Sequence, residues 1–307
     1  MGVEQLTYAV SHRTTLRYSG PVHASYNEVR MYPRHRGGQR VLAFALVSEP
    51  AAAPRSRVDF YGNVVHRVDV AATHAALELT MQSVVSTAEP RRHRPQPWMH
   101  SALLGDPNLE FALPSPRVPL DDSTASLLDA WVGQDRSFDA LAELARRIPT
   151  EFSYVSGATT VDSSTADLLA GGAGVCQDFT HLFCALARHA GWPARYVSGY
   201  MGPTPDEIEV VGESHAWAEV CGPDGRWVGL DPTHGELVRP AHIRLAVGRD
   251  YGDVAPHRGL YFGQAVGAPP EVAVRISHMS AQDAVAAHRG GPMERQQQQQ
   301  QQRLRRA

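Results

Sequence analysis

A glycine-rich loop that leads into an amphipathic segment restricts the fold of this chain more than any other feature of its sequence. Three of the four residues at 171–174 are glycine, and the segment after Cys176 carries apolar side chains at the spacing of one helix face. These side chains are Phe179, Leu182, Phe183 and Leu186. The glycine and proline within 191–193 are typical of a helix end. The pattern predicts a helix over residues 176–190 with Cys176 in its first turn.

Cys176 differs from the other two cysteines in its position along the chain. The unpaired N–H groups and the positive dipole end of a helix N-terminus favour thiolate over thiol, and the thiolate is the nucleophile. Cys184 falls within the apolar helix and is expected to be a small buried side chain, whereas Cys221 lies beside a turn. Three cysteines without paired spacing indicate neither a disulfide framework nor a zinc site. We therefore predict that Cys176 is a catalytic nucleophile.

A hairpin further along the chain supplies a histidine and an aspartate that can assist this cysteine. Residues 214–220 alternate between two faces, residues 222–225 give a strong turn signal, and a return strand ends at Asp231. A four-residue loop places His215 opposite position 232, and a loop one residue shorter places it opposite Asp231. A carboxylate there can hold the imidazole in one tautomer and stabilise its protonated form. The cysteine, His215 and Asp231 are therefore predicted to form a catalytic triad.

The rest of the chain divides into regions of different character. Residues 1–86 contain short alternating segments and a tight-turn signal at 61–63, which predicts a small β-sandwich-like domain. Residues 87–97 are rich in proline and arginine and are expected to be a linker. Residues 98–288 are predicted to form the catalytic core. The glutamine- and arginine-rich residues 289–307 cannot bury enough apolar surface to fold and are expected to be disordered.

Two further elements are predicted within the core. Ser137 is a good N-cap for a helix that ends at Pro149, since an apolar stripe runs between them. A strand is expected over residues 194–201, between the cysteine helix and the hairpin.

Composition and charge restrict the classes of partner that the chain is expected to bind. A net charge of −3 gives no electrostatic case for nucleic acid or an anionic membrane. No window approaches the roughly 18 consecutive apolar residues of a membrane span, and the N-terminus lacks the features of a secretory signal. We expect a cytoplasmic protein with a protein or peptide substrate. No pattern indicates a cofactor or a metal site. Cys176 and His181 lack the paired spacing that metal ligands show in a sequence.

Three sequence blocks resemble the bacterial branch of the transglutaminase-like superfamily. They are GAGVCQDFTHLFCALARHAGWPARYVSGYM, ESHAWAEV and GRWVGLDPTHG, and the β-rich first 85 residues or so resemble the N-terminal domain that often precedes this core. The resemblance implies an α+β fold in which a papain-like core packs a helix bearing the cysteine on an antiparallel sheet. It also implies that Cys176 is the nucleophile, His215 the base and Asp231 the orienting acid.

The expected activity is cysteine-dependent acyl transfer on peptide or glutamine amides. In this superfamily a thioester forms at the cysteine and is resolved by an amine or by water, so a crosslinker, a deamidase and a thiol protease all remain open. An amidase or acyltransferase with a small-molecule substrate is a second possibility, and a non-catalytic binding scaffold is a third. The backbone N–H of Cys176 is the expected first oxyanion donor. Gln177 and Tyr200 are candidates for the second donor.

Overall fold

A computed structural model of the chain describes residues 5–35, 38–88, 108–204, 207–212, 214–280 and 282–283. Most of the predicted linker and the whole predicted tail lie outside these residues. The strands are β1 (Gln5–Val22), β2 (Ala24–Val29), β3 (Arg40–Glu49), β4 (Arg55–Val58), β5 (Val64–Val70), β6 (His74–Ala88), β7 (Ser153–Tyr154), β8 (Ala173–Gly174), β9 (Ala194–Met201), β10 (Glu209–Gly212), β11 (His215–Cys221), β12 (Trp227–Asp231), β13 (Glu236–Leu237), β14 (His242–Gly248), β15 (His257–Phe262) and β16 (Glu271–His278). The α-helices are α1 (Asp122–Val132), α2 (Phe138–Glu151), α3 (Thr165–Gly171), α4 (Cys176–His189) and α5 (Tyr251–Val254), and a short 3₁₀ helix spans Leu109–Ala112.

The N-terminal strands form two antiparallel sheets, as their alternating sequence predicts. One sheet has the order β10-β16-β1-β6-β3 and the other has the order β15-β2-β5-β4. Along β1 the buried apolar residues fall at every second position, including Tyr8, Val10 and Leu16, because successive side chains of a strand point to opposite faces. The turn expected at 61–63 joins β4 to β5.

Three strands from the C-terminal part of the chain complete these two sheets. β16 pairs with the outer edge of β1, β10 pairs with β16, and β15 pairs with β2. The prediction that residues 98–288 form a single core therefore differs from the structure, in which residues 209–212, 257–262 and 271–278 belong to the N-terminal sheets. Alternation reveals that a segment is a strand, but it carries no information about which sheet edge the strand will join.

The predicted helix-on-sheet core forms the other half of the molecule and confirms the α+β fold class. Its sheet is antiparallel with the order β13-β12-β11-β9-β14, and α4 packs against it. Leu182, Phe183 and Leu186 of α4 are fully buried in a cluster that includes side chains from α1, α2 and β11. The helix thus has apolar neighbours on several sides, which fixes the position of its N-terminus.

The predicted helices and the central strand agree closely with the structure. α4 ends one residue before the expected position, and β9 has the expected limits. The Ser137 side chain accepts a hydrogen bond from the N–H of Ala140, as expected of an N-cap. The predicted end of α2 at Pro149 is wrong by two residues. Proline removes one helical hydrogen bond, but the N–H of Phe152 still donates to the Ile148 carbonyl and closes a further turn.

Side chains from the N-terminal half bind the backbone of β14, which is an edge strand of the core sheet. The Asn63 amide donates to the Val247 carbonyl at 2.9 Å and accepts from the Val247 N–H at 2.8 Å. Gln39 does the same at Arg244, with both distances 2.8 Å. These amides bind backbone groups of an edge strand, and the N–H of Arg34 also donates to the Arg244 carbonyl at 2.9 Å. Among the described residues, no helix is both long and apolar enough to span a membrane.

Candidate active site

The loop before α4 places Cys176 at the first helical position. Val175 is the N-cap, and its N–H donates to the Asp178 carboxylate at 2.8 Å. The Thr159 hydroxyl donates to the same carboxylate oxygen at 2.6 Å. A Cβ at Gly174 would come within 2.9 Å of that oxygen, so this position of the glycine loop requires glycine for space. The Cys176 side chain is partly exposed at the end of this arrangement.

The other two cysteines are enclosed. Cys184 is fully buried, and burial raises the pKa of its thiol to about 12. Cys221 is also buried. Cys176 is therefore the one cysteine of the chain whose side chain reaches solvent to a substantial degree, since all three lie within the described residues.

His215 links the thiol of Cys176 to the carboxylate of Asp231. Its Nε2 lies 2.7 Å from Oδ2 of Asp231, and the imidazole also makes a hydrogen bond with the side chain of Cys176, which leaves Nδ1 for the thiol. Burial by itself would lower the pKa of His215. The hydrogen bonds to Asp231 and Cys176, together with their negative charges, outweigh that effect and raise the pKa to about 10. The imidazolium form of His215 is therefore favoured at neutral pH, beside the side chain of Cys176.

The register of the β11–β12 hairpin differs from both predicted registers. Cys221 pairs with Trp227 and Ala218 pairs with Leu230, so the loop has five residues, 222–226. Continuing this ladder by one residue places Asp231 opposite Trp217, two positions beyond His215 on the same face of the sheet. The carboxylate thus reaches the imidazole diagonally rather than from a directly opposed position. The predicted pairing was wrong, although the shift keeps Asp231 on the correct face.

Two further histidines contact the same carboxylate oxygen, and the sequence did not lead us to either of them. His234 Nδ1 lies 2.8 Å and His242 Nε2 lies 3.1 Å from Oδ2 of Asp231. The N–H of Arg239 donates to Nδ1 of His242, so the proton of that buried ring is on Nε2 and points to the carboxylate. The position of His234 three residues after Asp231, in a turn, was a local signal for its contact. The contact of His242 depends on strand packing and had no such signal.

Asp231 is fully buried and receives an unusual number of hydrogen bonds. Its Oδ1 accepts from the N–H groups of Thr233 at 2.9 Å and His234 at 3.4 Å, in addition to the three imidazoles at Oδ2. Burial would raise the pKa of Asp231, but the hydrogen bonds from the three histidines hold that pKa well below its usual range. The carboxylate is therefore a fixed anion beside His215.

The structure does not support the two candidates for a second oxyanion donor. The Gln177 amide donates to the Val161 carbonyl at 3.3 Å, and the Tyr200 hydroxyl lies 2.8 Å from Nδ1 of His12 in the N-terminal half. Each group is thus bound to a different partner. His181 is buried, and its Nε2 accepts from the N–H of Tyr251 rather than facing a metal with Cys176.

Among the described residues, one group of ligand-type atoms is close enough to share a metal ion. It consists of His215, Asp231 and His234, whose ligand atoms all lie within 4.8 Å of one another. Neither Cys176 nor His181 belongs to this group.

Models of known protein families match segments in both halves of the chain. Residues 8–86 match the model for the bacterial transglutaminase-like N-terminal region. Residues 123–232 match the model for the transglutaminase-like superfamily, and this segment contains Cys176, His215 and Asp231.

Individual relatives extend this similarity over most of the chain. An uncharacterized protein of Mycobacterium tuberculosis strain H37Rv is 35% identical over 288 residues, which cover 88% of this chain and 92% of that protein. A protein-glutamine gamma-glutamyltransferase of Pseudomonas aeruginosa is 29% identical over 103 residues, 31% of this chain and 15% of that protein. A solved structure from Cytophaga hutchinsonii, described as a candidate cysteine protease, has a TM-score of 0.71 at 21% identity and covers 90% of this chain and 98% of its own. The chain belongs to the transglutaminase-like superfamily, in the bacterial form that carries this N-terminal region.

Proposed function

We propose that the protein is a cysteine-dependent acyl-transfer enzyme that acts on peptide or glutamine amides. The observation that carries the proposal is the continuous hydrogen-bonded path from the Cys176 thiol through His215 to the buried carboxylate of Asp231. A nucleophile, a base and a group that orients the base are the three parts that this chemistry requires.

The proposed reaction assigns one role to each group. His215 takes the thiol proton, and the thiolate of Cys176 attacks the amide carbon. The backbone N–H of Cys176, at the start of α4, donates to the developing oxyanion. His215 then returns the proton to the leaving amine, and a thioester remains on the cysteine. Water or a primary amine resolves the thioester and releases the acid or a new amide.

The substrate assignment rests on chemistry and on one relative. The Pseudomonas aeruginosa relative is named for transfer of glutamine acyl groups, which supports a glutamine side chain or a peptide as the acyl donor here. The partial exposure of Cys176 also suits a polymeric substrate that meets the thiol at the surface. A small-molecule amidase or acyltransferase is the second candidate, because the same three groups would serve it. A non-catalytic scaffold would have no use for a hydrogen-bonded thiol and imidazole.

The test is to supply a glutamine-containing peptide with and without a primary amine and to identify the products by mass spectrometry. Amine incorporation indicates transfer, ammonia release alone indicates deamidation, and chain cleavage indicates a protease. Cys176→Ala is the matched control and should abolish each product. Product formation that persists in this variant would contradict the proposal. Absence of every product from a wild-type protein with a reactive Cys176 would favour the small-molecule alternative.

A further inference from the structure

His234 stands out because the triad does not require it. Asp231 Oδ2 already accepts hydrogen bonds from His215 and from the fully buried His242. The His234 imidazole adds a third contact to the same oxygen, yet 45% of its side chain remains exposed. A buried histidine such as His242 is readily explained by packing. A half-exposed imidazole that contacts an enclosed carboxylate is not explained in this way.

We propose that His215, Asp231 and His234 form a binding site for a zinc ion, and that an ion bound there makes the thiol of Cys176 unreactive. Two imidazole nitrogens and one carboxylate oxygen are a donor set that zinc favours, with positions left for water. The site lies on the side of His215 that faces away from the thiol, so the cysteine is not a ligand.

The distances are compatible with a shared ion after small side-chain movements. Asp231 Oδ2 lies 2.7 Å from Nε2 of His215 and 2.8 Å from Nδ1 of His234. All three ligand atoms lie within 4.8 Å of one another. Because zinc holds its ligand atoms at about 2.0–2.1 Å in a tetrahedral arrangement, any two of them stand about 3.4 Å apart. The two imidazole nitrogens therefore need to approach one another by up to about 1.4 Å, and each needs to move about 0.6 Å away from Oδ2 of Asp231.

The local charge also suits a cation. Asp231 is a buried anion, and its strand partner Glu236 supplies a second carboxylate beside it. The Arg239 guanidinium, 3.0 Å from Glu236, is the opposing cation. Zinc displaces protons from the two imidazole nitrogens that now face Asp231, and the carboxylate then ligates the ion instead of accepting those hydrogen bonds.

The consequence for the thiol follows from the lone pairs of His215. An ion on Nε2 leaves that ring with its one proton on Nδ1 and no free lone pair. The imidazole can then no longer accept the thiol proton. Zinc is therefore expected to inhibit through the base rather than by direct bonding to sulfur.

The primary test measures binding without any reliance on catalysis. Zinc is titrated calorimetrically into the full-length Cys176→Ala protein, and we expect one ion per chain. The double variant Cys176→Ala, His234→Gln lacks one proposed ligand. Its zinc affinity should fall by at least the roughly 10–100-fold that is lost when a residue that only supports a metal ligand is replaced. His23→Gln, at an exposed histidine outside the cluster, should leave the affinity unchanged. Magnesium, which prefers oxygen ligands, should not bind.

A second measurement distinguishes this site from zinc bound to the thiol. In wild-type protein, zinc should slow alkylation of Cys176 by iodoacetamide, and a chelator should restore the rate. In His234→Gln the same zinc concentration should have much less effect. Absence of one-to-one binding to Cys176→Ala, or equal affinity in the His234→Gln variant, would overturn the proposal. Both readouts are independent of substrate turnover, so a failure of the acyl-transfer proposal would leave them unaffected.

Discussion

At the scale of single residues, the Asp231 carboxylate determines what His215 can do. It is fully buried and accepts hydrogen bonds from three imidazoles and from the N–H groups of Thr233 and His234. An anion held this firmly by donors stays charged and oriented. The raised pKa of His215, about 10, is the direct result of that fixed charge and of the thiol on its other side, which together outweigh the effect of burial.

Replacing this carboxylate by an amide tests its role. In Asp231→Asn the negative charge disappears and the amide can turn a donor toward His215, so the imidazole loses its orientation and its positive form is no longer stabilised. We expect the rate of acyl transfer to fall on the order of 10³–10⁴-fold. Asp122→Asn, at the exposed start of α1, should keep full activity. A folded Asp231→Asn protein with near wild-type turnover would contradict the assigned role.

At the scale of elements, the site depends on how closely β9 and β14 approach β11. His215 pairs with Gly199 of β9, and Trp217 lies against the same glycine. A Cβ at Gly199 would come within 2.3 Å of the Ile243 carbonyl oxygen and 2.4 Å of the Trp217 ring. The glycine therefore allows the ring of Trp217 to lie beside His215, where the two ring centroids are 6.1 Å apart.

Adding this one carbon should separate the elements that carry the site. In Gly199→Ala the backbone of β14 or the Trp217 ring must move, and we expect the free energy of unfolding to fall by about 3 kcal/mol, at the upper end of the usual cost of overpacking. Gly212→Ala is the matched control, because a Cβ there meets nothing within 4 Å. Urea denaturation of both variants checks the expectation. Equal stability of the two would show that the sheet tolerates the contact.

The sequence predicted elements better than it predicted their registers. The limits of α4 and the placement of Cys176 at its first turn follow from helical periodicity and the flanking glycines, which are local properties. The hairpin register did not follow, because one additional loop residue shifts every pair. The approach of His234 and His242 to Asp231 combines a turn with a separate strand. Spacing within a single sequence does not determine which histidines such packing brings together.

At the scale of the whole molecule, buried histidines join N-terminal strands to later segments of the chain. His12 of β1 contacts the Tyr200 hydroxyl of the core sheet at 2.8 Å, and His257 of β15 contacts Asn27 of β2 at 3.0 Å. Burial lowers the pKa of each histidine to about 4, and the neighbouring charge of His257 adds to the effect at His12. Both rings are therefore neutral in the folded protein at neutral pH.

This neutrality predicts a loss of stability in mild acid. The pKa values in the folded state, about 4, lie below the ordinary value of 6.5, so the unfolded chain binds more protons between these two pH values. The free energy of unfolding should be highest above pH 6.5 and should decrease as the pH falls toward 4. One pH unit below 6.5 the loss is on the order of 1 kcal/mol for each histidine.

Urea denaturation at several pH values measures this dependence. His257→Gln, which cannot be protonated, should make the fall in stability between neutral and mildly acidic pH less steep, whereas His23→Gln at an exposed site should not. An unchanged pH dependence in His257→Gln would contradict the inference that this buried ring titrates on unfolding.

The rate and site of alkylation test whether Cys176 is a nucleophile activated by His215. The protein is treated with less than one equivalent of iodoacetamide near neutral pH, and the labelled cysteine is identified by mass spectrometry in the wild type and in His215→Ala. We expect the label to be almost entirely on Cys176 and its rate of formation to fall sharply in the variant. Preferential labelling of Cys184 or Cys221, or an unchanged rate in His215→Ala, would contradict this expectation.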